Sequence, residues 1–231
     1  VKSPPAPRRE LDEVVVNIEL TLASIVQGVA LTFLAENAGE VVAHGPVAAW
    51  PYVGVSFLVI LLFWARAAIH TLTLIRWPLE FVHNFFYFAC ALVEVLAFRE
   101  LANPFKWFVL NTVFAAMVWA LFIHDLRIIR LRTKDSVGPS SFRLYAIVLA
   151  DQMANIRFVV PAVFLFCLGS AIAIKCAPDF FVTRHGHLIL VGLQGTGMLI
   201  NLAYVIRSFG HITPLISATR QEWRDDLEEG M

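Results

Sequence analysis

Ser56-Phe57-Leu58-Val59-Ile60-Leu61-Leu62-Phe63-Trp64-Ala65-Arg66-Ala67-Ala68-Ile69-His70 is the stretch on which the fold turns. No charged side chain interrupts it before Arg66, and the apolar run reaches back to Ala49 and on to Ile75. Crossing the hydrocarbon core of a bilayer, roughly 30 Å, takes about 20 helical residues. Strands are far shorter than this run, and a soluble core helix shows polar positions on one side. The segment predicts a transmembrane helix.

The same texture recurs on both sides of it. Val14–Ala35 precedes it, and Leu79–Phe98, Pro104–Ile123, Val159–Ile174 and Leu188–Ile206 follow. Helices satisfy their own backbone groups where no water is present, so the expected fold is all-α, a polytopic bundle of about six spanning helices. Composition agrees, with 58% hydrophobic and 16% charged residues, against about half and about a quarter in soluble domains. The zero formal net charge gives no electrostatic reason to expect nucleic acid as a partner. Cys90, Cys167 and Cys176 lie in or beside apolar runs without metal-type spacing, and read as small buried hydrophobes.

Residues 1–13 read as a proline-rich tail, and the apolar run after it is too long for the core of a signal peptide. The membrane domain covers 14–206, and 207–231 form a charged C-terminal segment. Within the connection 124–157, Ser140-Ser141 after Pro139 starts a helix that carries Phe142, Tyr145, Leu149, Met153 and Ile156 at helical spacing. This amphipathic helix before the fifth segment either lies on the leaflet or extends that segment, with Pro161 marking a bend. Thr219-Arg220-Gln221-Glu222 has capping-box spacing for a separate tail helix.

Lys and Arg set the orientation. They gather in the tail (Lys2, Arg8, Arg9), at Arg76, in the fourth connection (Arg127, Arg130, Arg132, Lys134, Arg143) and at Arg207, Arg220 and Arg224. Residues 36–51 have none, and the third and fifth connections have only Arg99, Lys106, Lys175 and Arg184. Both termini are therefore expected in the cytoplasm, in the inner (plasma) membrane of a bacterium.

Ionisable groups inside apolar helices are the best functional pointers. Arg66 and His70 share a face of the second segment, and His83, Tyr87, Cys90 and Glu94 share a face of the third. Counted from the bend between these segments, the depths match an Arg66–Glu94 ion pair, with His70 beside Tyr87. The first segment carries a stripe of Asn17, Thr21, Ser24, Gly28 and Thr32, with Gln27 beside it and Glu19 pointing the other way. Small polar residues at this spacing suit close helix contact or a pore-lining face. Gln194, Gly197, Asn201 and Tyr204 form a second stripe on the sixth segment that could meet the first. The glycines around Gln194 (Gly192, Gly195, Gly197) follow no strand, so they read as packing positions and not as a phosphate loop. His185-Gly186-His187, with Asp179 and His44 as possible companions, is too unspecific a pattern to assign as a metal site. No catalytic constellation and no cofactor site are expected.

Gln27-Gly28-Val29-Ala30-Leu31-Thr32, together with Ser56 to Trp64 followed by His70, resembles the first two helices of the prokaryotic six-helix relatives of the lysosomal potassium channel. In that family helix 1 lines the pore and carries Asp-Gly followed by apolar and Thr positions. Here Ile25-Val26-Gln27 replaces the family's Phe-Ser-Asp before the glycine, and the family's Arg is absent too. The resemblance implies an oligomeric ion channel with the first helix near the axis. The rival expectation is a non-transporting anchor or scaffold subunit that docks a cytoplasmic protein through 125–157 and 207–231. Membrane lipid and further copies of the chain are the expected partners. Cysteines introduced as His44→Cys and Thr219→Cys are expected to react from opposite sides of the membrane; labelling of both from one side overturns this topology.

Overall fold

The computed structural model describes residues 6–74, 81–134 and 138–229. Among the described residues, seven α-helices follow one another: α1 (Ala6–His44), α2 (Trp50–Leu74), α3 (Phe81–Phe98), α4 (Pro104–Lys134), α5 (Pro139–Ala154), α6 (Val160–Cys176) and α7 (His187–Glu229). Six helical stretches are long and apolar enough to cross a membrane, α5 and α6 counting as one. The chain is an integral membrane helix bundle. Six crossings return it to the side on which it starts, so the start of α1, the α4–α5 connection and the end of α7 share one end, called here the terminal end.

The helices run further than the apolar runs alone imply. The helix of the first segment begins at Ala6, where a proline-rich tail to residue 13 was expected. Pro7 suits a first helical turn, and Arg8, Arg9, Glu10 and Leu11 are good helix formers. Residues 1–5 of that tail and the bend between the second and third segments, at 75–80, lie outside the described residues. At about 1.5 Å per residue, the 31 residues of α4 and the 43 of α7 reach about 46 and 64 Å, well beyond the hydrocarbon. Thr219 is buried in the interior of α7, so the separate capped tail helix is replaced by a continuation of the last span, and the exposed neighbour Arg220 becomes the position for the labelling cysteine at this end.

The helix before the fifth span extends that span. A π-helical turn, Asn155–Val159, joins α5 to α6 without a break and sits just before Pro161. Such a turn absorbs the backbone irregularity that a proline brings. The Trp119 indole N–H donates to the Ile156 carbonyl at 3.1 Å, which satisfies one acceptor of this turn. α5 packs between α4 and α7. Leu144, Tyr145 and Val148 are buried there with Ile129, Val205 and Ile212.

Two further apolar clusters fill the bundle. One gathers Ala23, Phe63, Ala67, Tyr87 and Leu121 near mid-span. The other, at the far end, centres on Tyr52, Trp107 and Phe108, with Tyr52 and Trp107 edge to face at 4.9 Å. Helix neighbours are not simply chain neighbours: α2 packs mainly on α1 and α7, α3 on α4 and α1, and α6 on α4. Of the α7 glycines, only Gly195 packs closely, since a Cβ there would meet the Val55 methyl at 3.1 Å.

A tertiary cap ties α7 to α5. The Ser140 and Ser141 backbone N–H groups donate to the two Glu222 carboxylate oxygens at 2.6 and 3.0 Å. The first N–H groups of a helix have no partner within it, and negative charge is favoured at that end. Gly138 is the residue that leaves room, because a Cβ there would lie 2.5 Å from the Glu222 carboxyl carbon. Glu222→Ala is expected to cost about 1–2 kcal/mol, as helix caps do. Gly138→Ala should cost a similar amount by displacing the carboxylate. In thermal unfolding of the purified protein, the double variant should lose little more than either single one; additive losses would show that the two act separately.

Candidate functional site

The first feature is the orientation of α1. Its inward face carries Val15, Glu19, Ala23, Gln27, Ala30 and Leu34, all buried. Two buried hydrogen bonds fasten this face to α3. The Asn84 amide donates to Glu19 Oε1 at 2.8 Å, and the Gln27 amide donates to Glu94 Oε2 at 3.3 Å. The helical period then turns Asn17, Thr21, Ser24, Gly28 and Thr32 outward, and all five are exposed. Gln27, which neighbours the stripe in sequence, belongs to the inner face. The expected meeting of the stripe with Gln194 and Asn201 does not occur: α1 packs on α2 and α3, while α7 packs on α2 and α5.

The second feature is a band of ionisable side chains in the terminal half of the bundle. Asp125 is 2% exposed and accepts from two histidines, His83 Nδ1 at 2.8 Å and His70 Nδ1 at 3.2 Å. An ionised carboxylate only accepts, so each ring presents an Nδ1–H to it. One turn along α2, Arg66 pairs with Asp151 of α5 and also donates to the Asn155 amide oxygen at 3.4 Å. The Tyr204 hydroxyl of α7 donates to the other Asp151 oxygen at 2.8 Å. The band thus joins α2, α3 and α4 through Asp125, and α2, α5 and α7 through Asp151.

This corrects the expected Arg66–Glu94 pair. The depths match, but the two groups face different neighbours, because α2 and α3 scarcely touch. Glu94 faces α1, and Arg66 faces α5 and α7. Likewise His70 meets Asp125, while Tyr87 stacks on Phe63 at 4.8 Å and donates to the Ala23 carbonyl at 3.4 Å. His83, Tyr87, Cys90 and Glu94 do share the buried face of α3. Asp125 and Asp151 are the partners that sequence reasoning missed. They fall in the stretch read as a basic connection, although Asp151 and Asn155 have the i, i+4 spacing of one helix face. At the far end, His187 Nδ1 lies 3.0 Å from the Tyr52 hydroxyl.

The third feature is a cavity of about 470 Å³ near mid-span, walled by α2, α4, α6 and α7. Arg66 and Asn155 stand at its terminal end, Gln194 and Asn201 line its α7 side, and most of the remaining wall is apolar.

The ion pair gives a direct test. Arg66→Gln should destabilise the protein by about 1–3 kcal/mol, because it removes the cationic partner of the partly buried Asp151 carboxylate. Adding Asp151→Asn should recover much of that loss. Thermal unfolding in detergent should show this coupling and none between Arg66→Gln and Glu94→Gln; coupling to Glu94 instead would contradict the arrangement.

No protein-family model, no curated protein and no solved structure matches this chain.

Proposed function

We propose that the chain is the protomer of a homo-oligomeric ion-permeation protein whose α1 helices meet around an axis. The observation that carries this reading is the outward stripe Asn17, Thr21, Ser24, Gly28 and Thr32. The Thr21 and Thr32 hydroxyls satisfy themselves on the Asn17 and Gly28 carbonyls at 2.7 and 3.0 Å. Among the described residues, the Asn17 amide and the Ser24 hydroxyl have no such partner. Polar groups left in hydrocarbon are costly, whereas a second copy or a water-filled axis would satisfy them. Ser24, Gly28 and Thr32 are spaced four apart, the pattern that lets helix backbones approach closely. The stretch resembling the pore-lining helix of the lysosomal-potassium-channel relatives, Gln27 to Thr32, supports the same reading, with Gly28 and Thr32 facing out. The buried bonds from Glu19 and Gln27 to α3 act as the brace that keeps the stripe turned outward. The Lys and Arg residues gathered toward the terminal end support cytoplasmic termini.

A second reading has its own observation. The ends of α4 and α7, with α5 between them, make a three-helix projection at the terminal end, with Arg130 and Arg143 on it. This favours a membrane subunit that docks a cytoplasmic protein.

Single cysteines separate the two. Ser24→Cys and Gly28→Cys should crosslink between protomers in lipid nanodiscs, and Gln27→Cys, on the inward face, should not. Gly28→Leu should abolish assembly or ion flux in liposomes while membrane insertion is retained. A monomer without intersubunit crosslinks or flux would remove the axial reading and leave the docking subunit.

A further inference from the structure

The mid-span cavity carries an inference that is independent of the α1 axis. Its polar groups are not equivalent. Arg66 is neutralised by Asp151, the Asn111 amide donates to the Trp107 carbonyl at 2.9 Å, and the Asn155 amide donates to the Asp151 carbonyl at 2.8 Å. Gln194 is different: it is 6% exposed, lines the cavity, and has neither its amide nitrogen nor its amide oxygen paired among the described residues. Leaving a buried donor and acceptor unsatisfied costs about 1–3 kcal/mol for each group. A primary amide presents both along one edge, so its natural complement is another group that donates and accepts along one edge.

The helices on one side of the cavity stand apart. Its walls at α6 and α7 are formed by two helices that make almost no contact with each other. Val160 to Phe166 lie ten residues or more from the far end of α6, and Leu193 to Asn201 lie six to fourteen residues from the far end of α7, about 9 to 24 Å into the span. A Cβ added at Gly197, on this wall, would meet no atom within 4 Å. A slit at that depth opens toward lipid tails and not toward water. The volume lies within the range of about 300–1,000 Å³ usual for small-molecule sites. Because Arg66 is already matched by a carboxylate, an anionic head gains little there.

We propose that this cavity binds a lipid-soluble molecule with an apolar chain and a neutral head that is a primary amide or an un-ionised carboxyl, paired edge to edge with Gln194 and entering from the bilayer between α6 and α7. The chain lies against Phe63, Phe114 and Phe166, and the head points at α7.

The test uses the full-length protein in nanodiscs and a photoreactive diazirine-bearing fatty amide. The label should map to peptides of α6 and α7 that border the cavity, and oleamide should compete it away while an alkane of equal chain length does not. Gln194→Leu should weaken that competition about tenfold, the loss of two net hydrogen bonds. Gly197→Phe, which narrows the slit without touching the amide, should reduce labelling as well. Labelling scattered over the lipid-facing surface, or competed equally by the alkane, overturns the proposal, as does unchanged competition in Gln194→Leu. The wild-type mapping and competition decide the matter even if a variant fails to fold, and neither depends on oligomerisation or ion flux.

Discussion

A guanidinium cannot stay charged inside a helix bundle unless a carboxylate and further acceptors come to it. Arg66 sits on α2 amid apolar neighbours, and the groups that meet it come from elements far along the chain: Asp151 and Asn155 from α5 and the adjoining π turn, with Tyr204 of α7 bonded to the same Asp151. That requirement fixes the rest of the terminal half. α5 must continue the fifth span inward so that Asp151 reaches the depth of Arg66. α7 must lie beside both α2 and α5. The π turn adjusts the phase of the helix just where Asn155 turns to Arg66 and Pro161 removes a donor.

The spans themselves were legible, because apolar length answers to bilayer thickness and little else. Pro104 and Phe98 bound their helices as expected. The helix ends at the terminal side were not legible. Beyond the hydrocarbon, α4, α5 and α7 bury apolar residues against each other and expose charge to water, so hydropathy falls although the helix continues. Depth could be counted along a helix, which explains why Arg66 and Glu94 looked like partners. Lateral placement could not, since it depends on which helices become neighbours. Glu19 was correctly turned away from the outer stripe of α1, because that needs only the helical period.

The two sides of the molecule have different characters. On one, α1 is held to α3 by amide–carboxylate bonds and shows small polar residues outward. On the other, α6 and α7 stand apart over a mostly apolar cavity. α2 is the common wall. Tyr52, Ser56, Phe63, Arg66 and His70 recur on it at intervals of three, four and seven, and each faces a different layer of the interior. A change in the shape of α2 would therefore be felt on both sides, as expected of packed helices that move as bodies.

The Glu222 cap on α5 also bears on the order in which the chain completes itself. Ser140 emerges from the ribosome more than eighty residues before Glu222. During synthesis the start of α5 therefore stands with open N–H groups while the last span has yet to be made, and domains form from the N-terminal side first. Closing so long a loop is slow compared with forming the helices themselves. The final turns of α7 are then the last structural piece to arrive, and their docking turns a string of inserted helices into one connected body.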